Sequence, residues 1–213
     1  MSRPLFSLPK LYAIVDAGVL SQKAVDLDDF TRALRAAGLR LIQYRDKDAS
    51  PQTILHNAAR IREVFSGSDC LLVMNDRADF AVLSEWNGVH VGQGDLAPED
   101  ARLVVGAERW VGVSTHTEDQ VRIADGSCAD YVAVGPVFAT GTKLDAEPVI
   151  GLDGVRRMRA LTKKPLVAIG GITRANARSV IDAGADSVAV VSGLVTEGGT
   201  VEKVARDFLE ILR

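Results

Sequence analysis

The sequence has little with which to build a redox, zinc or disulfide protein. Its two cysteines, Cys70 and Cys128, stand far apart and in no metal-ligand spacing, which excludes a zinc cluster and a disulfide framework. Both flank apolar runs, so two reduced, buried and inert thiols are expected. The three histidines fall in no zinc pattern, and no Ser-His-Asp order is present. No GxGxxG turn follows the first apolar run, which removes the usual dinucleotide site. Basic excess is missing too: 25 Lys and Arg face 28 Asp and Glu, for a net charge of −3. That argues against nucleic acid as the main partner. No apolar stretch approaches membrane-spanning length. The segment MSRPLFSLPK lacks an apolar core long enough for a signal peptide, so a cytoplasmic protein is expected.

What is present is a core. The hydrophobic fraction is 47% over 213 residues, enough for one large domain spanning 1–213. Short apolar runs recur along the chain, and eight of them read as strands: Leu11–Asp16, Arg40–Tyr44, Leu71–Met74, Gly88–Val91, Trp110–Val113, Tyr131–Val134, Leu166–Ile169 and Ser187–Val191. A segment of helical periodicity follows each one. Leu27, Phe30, Leu34 and Ala37 share one helix face and Gly38 stops that helix, while Pro51 and Pro98 open two others. Thr173 is expected to cap the helix that Gly184 ends. The segment after Leu11–Asp16 reads as polar connection. Continuous apolar strands alternating with helices imply a parallel sheet covered on its faces. Eight such units predict an α/β fold, a single-domain (β/α)8 TIM barrel, with a doubly wound open sheet as the alternative.

In such a barrel, chemistry collects where the strands end. Those ends carry Gln43 to Lys47, Asn75-Asp76, Asp95, Ser114, Thr140 to Lys143, Gly170-Gly171 and Ser192-Gly193. The strand starts carry ordinary turn residues. Gly170-Gly171 and Ser192-Gly193, after the last two strands, match a barrel phosphate cradle of exposed backbone N–H groups. Asp76 and Asp95 end neighbouring strands with no histidine or cysteine cluster beside them, which suits Mg²⁺. Both could equally be helix caps. Arg45, Lys47 and Lys143 add positive charge on the same rim. Two acids and three cations beside a phosphate cradle suggest a transferase with two phosphorylated substrates and diphosphate as leaving group. Among the histidines, His56 reads as a surface residue, His90 as a packed strand residue, and His116 as a rim residue able to act as acid or base. Asp16 has no evident role.

QYRDK at Gln43–Lys47, ND at Asn75-Asp76, GVHVGQGD at Gly88–Asp95, GVSTHT at Gly112–Thr117, GPVFATGTK at Gly135–Lys143, AIGGI at Ala168–Ile172 and VVSG at Val190–Gly193 together resemble the thiamine phosphate synthase family. The resemblance runs in order from the second strand to the eighth. It implies condensation of a hydroxymethylpyrimidine diphosphate with a thiazole phosphate, carboxylated or not, with Mg²⁺ as cofactor and small molecules as the partners. It also implies residue roles. Gln43, Tyr44, Arg45, Asp46, Lys47, Asn75, Ser114 and Lys143 would surround the pyrimidine diphosphate. Arg45, Lys47, Ser114 and Lys143 would form the catalytic set. Asp76 and Asp95 would hold Mg²⁺. Thr140, Gly141, Thr142, Gly171, Val191 and Ser192 would hold the thiazole phosphate. Oligomeric state stays open, with a homo-oligomer allowed. Two other readings compete: a thiazole tautomerase using His116 without a metal–diphosphate site, and a non-catalytic binder of thiamine phosphate.

Overall fold

The computed structural model describes residues 8–141, 147–195 and 199–213. Eight parallel strands pair in chain order and close on themselves. They are β1 (Leu11–Asp16), β2 (Leu41–Arg45), β3 (Leu71–Asn75), β4 (Gly88–Val91), β5 (Trp110–Thr115), β6 (Tyr131–Val134), β7 (Leu166–Ile169) and β8 (Ser187–Val190). Closure is made by β8 on β1, with Leu11 opposite Val188 and Ala13 opposite Val190. No strand edge is left to template aggregation. The protein is therefore a (β/α)8 barrel, and the open sheet is excluded.

The helices are α1 (Ala17–Gln22), α2 (Leu27–Ala37), α3 (Pro51–Val64), α4 (Ala78–Leu83), α5 (Pro98–Val105), α6 (Glu118–Gly126), α7 (Gly151–Arg159), α8 (Ala177–Asp182) and α9 (Val201–Ile211). Their ends follow local chemistry. Asp26 and Ser50 accept N–H groups of the first turns of α2 and α3, and Thr117 and Gln120 form a reciprocal capping box on α6. Gly38 ends α2 in the left-handed region, at φ +87°. The α9 helix buries Val204 and Phe208 completely, each such side chain stabilising the fold by roughly 1.5–3 kcal/mol.

Three local expectations are corrected. The connection after β1 is a helix, α1, whose only buried residue is Leu20; a six-residue helix with one apolar anchor leaves no periodic trace. Thr173 does not cap α8, which starts four residues later behind Asn176. Its N–H instead donates to Asn176 Oδ1 at 2.8 Å, making a turn before the helix. Cys70 is buried as expected, but Cys128 is exposed, because it lies in the turn between α6 and β6.

The strands present two apolar faces. One packs against the helices in a large outer core. The other fills the lumen, where Tyr12, Ile14, Leu41, Val73, Tyr131, Ala133, Val167 and Ala189 pack with Leu8. Side chains alternate along each strand, so Tyr12, Ile14 and Asp16, or Gln43 and Arg45, turn towards the same interior. Polar members of this inward set sit at the ends where the strands stop, and there the site forms.

Candidate active site

Two adjoining cavities open at the C-terminal ends of the strands. The larger, about 410 Å³, is walled by Ile14, Ala133, Val167, Ile169 and Ala189 and reaches Thr140, Gly170, Gly171, Val191, Ser192 and Gly193. The smaller, about 280 Å³, is polar and is lined by Lys47, Asp76, Gly92, Gln93 and Asp95. Arg45, Asn75, His90, Ser114, His116 and Glu147 border both.

The glycine turns expected to cradle a phosphate are shaped by backbone conformation. Gly170 and Gly171 have φ of +103° and +62°, where a Cβ is disfavoured. At Gly171 a Cβ would also lie 2.5 Å from the Ala139 carbonyl oxygen. This close approach folds the chain after β6 onto the chain after β7. Beside it, Ser192–Leu194 form a single 3-10 turn after β8. Glycine turns and a helical turn aimed at one cavity end suit an anionic group.

The acidic corner differs from a pair of caps. The helix after Asp76 starts behind Arg77, the helix after Asp95 starts behind Ala97, and neither has a side-chain cap. Asp76 stands at φ +59°, and its N–H donates to the His90 carbonyl at 2.7 Å. Its carboxylate pairs closely with Lys47. Burial pushes the Asp76 carboxyl above the usual carboxylate range; Lys47 opposes this, and the neighbouring Asp95 carboxyl reinforces it. Asp95 Oδ2 accepts the Gly92 N–H at 2.8 Å. A buried carboxyl whose ionisation is opposed by the carboxyl beside it fits a hard divalent cation, which would neutralise both charges. Among the described residues no cluster of three His, Cys, Asp or Glu is placed to hold a metal. The remaining positions around such an ion would fall to water and substrate oxygens, the usual habit of Mg²⁺.

Arg45 is fixed by Asp16, through a 2.5 Å contact from Nη1 to Oδ2. Asp16 also caps α1, accepting the Val19 N–H at 3.0 Å. His116 lends Nδ1–H to the Gly135 carbonyl at 2.8 Å. A carbonyl only accepts, so Nε2 is the nitrogen without a proton in neutral His116.

The structure brings most of the expected residues together. Gln43, Arg45, Asn75, Ser114, Thr140, Gly171, Val191 and Ser192 line the larger cavity, and Lys47, Asp76 and Asp95 the smaller. Tyr44 and Asp46 line neither. The Tyr44 side chain faces the helices, where it takes a hydrogen bond from Asn57 at 2.9 Å and gives one to Asp46 at 3.0 Å. Asp46 also accepts the Ala49 N–H at 3.1 Å. Adjacent strand residues face opposite ways, so Gln43 and Arg45 inward puts Tyr44 outward. Gly141 borders neither cavity, and Thr142 and Lys143 lie outside the described residues. Sequence reasoning missed Tyr12, Tyr131 and Glu147. For the tyrosines, the available signal was parity with Asp16 and Ala133.

Residues 11–194 match the family model for thiamine monophosphate synthase. A thiamine-phosphate synthase from Koribacter versatilis is 51% identical over 207 residues, 96% of each chain. One from Methanosarcina mazei is 40% identical, over 95% of this chain and 82% of that one. Among solved structures, a thiamine phosphate pyrophosphorylase from Pyrococcus furiosus superposes with a TM-score of 0.84 at 31% identity, covering 95% of each chain. A closed eight-stranded barrel and a match across nearly its whole length agree: this chain belongs to the thiamine monophosphate synthase family.

Proposed function

We propose that the protein joins a hydroxymethylpyrimidine diphosphate to a thiazole phosphate, giving thiamine phosphate and diphosphate. One observation carries this reading: an apolar cavity ending in a phosphate cradle shares a wall with a polar cavity holding paired carboxylates and cations. Two phosphorylated reactants can thus meet at one wall. A tautomerase acting on a single phosphorylated thiazole would have no use for the second cavity.

Reaction breaks the bond from the pyrimidinylmethyl carbon to the diphosphate oxygen, and the electron pair leaves with diphosphate. The electron-rich aminopyrimidine delocalises the resulting cation. The thiazole nitrogen then donates its lone pair to that carbon, so no protein base is needed for bond formation. Arg45 and Lys47 face the cavity where charge gathers on the leaving group, and such preorganised charge is worth several kcal/mol in a site shielded from water. Asp76 and Asp95 would hold Mg²⁺, which when bound screens the diphosphate charge. The apolar wall of Ile14, Ala133, Val167 and Ala189 orients the rings and keeps water from the cation. The cradle of Gly171, Val191 and Ser192 would hold the thiazole phosphate.

The test is diphosphate release on mixing both substrates with Mg²⁺, with thiamine phosphate identified by mass. Release that needs both substrates supports the reading. Binding of both without release would identify a non-catalytic binder instead.

A further inference from the structure

Five polar side chains from five strands form one hydrogen-bonded chain across the barrel lumen. Gln43 Nε2 lies 2.8 Å from Tyr12 Oη, and Tyr12 Oη lies 3.0 Å from Tyr131 Oη. Tyr131 Oη lies 3.0 Å from His90 Nδ1, and His90 Nε2 lies 2.8 Å from Ser114 Oγ. Tyr12 and Tyr131 are 1% exposed, so these bonds are shielded from bulk solvent. The chain is held from several sides. Tyr131 stacks on His90 with ring centroids 5.5 Å apart and meets Tyr12 edge-on. Its ring lies over Gly112, its register partner on β5, and a methyl group there would overlap the ring. The two ends, Gln43 and Ser114, both line the larger cavity.

With each tyrosine hydroxyl proton used within the chain, its bonds run in one direction. An amide nitrogen only donates, so Tyr12 oxygen accepts from Gln43. Tyr12 then gives its proton to Tyr131, and Tyr131 gives its own to His90 Nδ1. A His90 that accepts at Nδ1 is the neutral Nε2–H tautomer, and it donates to Ser114 Oγ. Ser114 is left to turn its own O–H into the cavity. At the other end, the Gln43 amide committed by nitrogen to Tyr12 turns its carbonyl oxygen inward.

We infer that Tyr12, Tyr131 and His90 are positioning residues that fix opposite hydrogen-bonding signs at the two ends of the cavity, an acceptor at Gln43 and a donor at Ser114, and so select a 4-amino over a 4-oxo pyrimidine. This rests on the proposed function and specifies how its pyrimidine is chosen. An amino ring offers an amine donor to the Gln43 carbonyl and a ring-nitrogen acceptor to the Ser114 hydroxyl. The oxo ring brings a carbonyl against the Gln43 carbonyl, and neither group can donate. A site built for one hydrogen-bonding pattern rejects the inverted one strongly, because buried polar groups are left unpaired.

The experiment pairs a spectroscopic reading with a kinetic one. Nitrogen-15 NMR of histidine-labelled protein without substrate should show His90 protonated at Nε2 and bare at Nδ1. Tyr131→Phe and Tyr12→Phe keep the rings and cut the chain: the first removes the hydroxyl on His90 Nδ1 and should disturb that tautomer, and the second releases the Gln43 amide to turn. The ratio of kcat/KM for the amino over the oxo pyrimidine diphosphate should be on the order of 100-fold or more in the parent, and should fall to about 10-fold or less in both variants. If Tyr131→Phe leaves the His90 tautomer as in the parent, or if either variant keeps the parent's selectivity, the inference is wrong. Should the variants fail to fold, the parent still decides: a His90 protonated at Nδ1 overturns it. Absence of any turnover of the amino substrate by the parent would instead defeat the proposed function, while the tautomer would still report on the chain.

Discussion

Arg45 and Asp16 stand opposite one another in register on β2 and β1, and their side chains meet at 2.5 Å. Asp16 is 5% exposed. It holds the Arg45 guanidinium on the rim with one oxygen while its other oxygen caps α1. Asp16→Asn keeps the size and removes the charge. Arg45 then loses its fixed direction, and KM for the pyrimidine diphosphate should rise about 3- to 10-fold with a smaller change in kcat. Stability should fall by about 1–3 kcal/mol, the cost of leaving one member of a largely buried pair uncompensated. Steady-state kinetics and urea unfolding read both. A lower KM would show that Asp16 competes with the leaving group for Arg45.

The Asp76–Asp95 corner makes a prediction about metal demand. Burial and the Asp95 carboxyl both work against ionisation of Asp76, and Lys47 alone offsets them. A bound divalent ion would relieve that repulsion. Asp95→Asn removes half of the charge that attracts the ion, so the Mg²⁺ concentration for half-maximal diphosphate release should rise on the order of 10-fold or more. Titrating Mg²⁺ at saturating substrates measures this. An unchanged midpoint would place the ion elsewhere.

Gly171 tests the phosphate cradle. At φ +62°, and with the Ala139 carbonyl in the path of any Cβ, Gly171→Ala forces the turns after β6 and β7 apart. The strain should cost about 1–3 kcal/mol. KM for the thiazole phosphate should rise at least several-fold and KM for the pyrimidine diphosphate by less, since Gly171 stays out of the smaller cavity where Lys47, Asp76 and Asp95 would face the diphosphate. Parallel changes in both constants would mean general damage to the barrel.

The barrel was legible because each strand is a short apolar run and several helices carry their own start or stop, as Pro51 and Gly38 do. Gln43, Asp76, Ser114 and Gly171 were legible because polar or glycine residues end apolar strands at one rim. What the sequence hid was direction. A strand buried on both faces is apolar throughout, so nothing in LIQYR says that Gln43 and Arg45 turn inward while Tyr44 meets Asn57 among the helices. The same loss of parity hid Tyr12 and Tyr131, which only the closed barrel places together in the lumen. His90 read as a packed residue. It is packed, but its ring nitrogens reach Tyr131 and Ser114 at the site wall. Asp16 lacked a role because its partner Arg45 is adjacent only through strand pairing, and the short α1 it caps leaves no periodic signal.

All three tyrosines of the chain, Tyr12, Tyr44 and Tyr131, are buried, and this sets the alkaline limit of the fold. Burial is the largest influence on each and pushes every phenol above its ordinary range. A folded-state pKa above the unfolded value of about 10 contributes stability that is fully present below that pH and is lost as pH rises through the folded value. Tyrosinate absorbance should therefore stay flat in the folded protein through about pH 10 and then appear in one step, together with loss of the helical circular dichroism signal. Tyr44→Phe should remove one third of the amplitude. Because Tyr44 faces the helices rather than the cavity, the mutation should leave the selectivity between amino and oxo substrates as in the parent. A tyrosinate step that precedes unfolding would mean that one phenol is open to water, and the three single Phe variants would identify which.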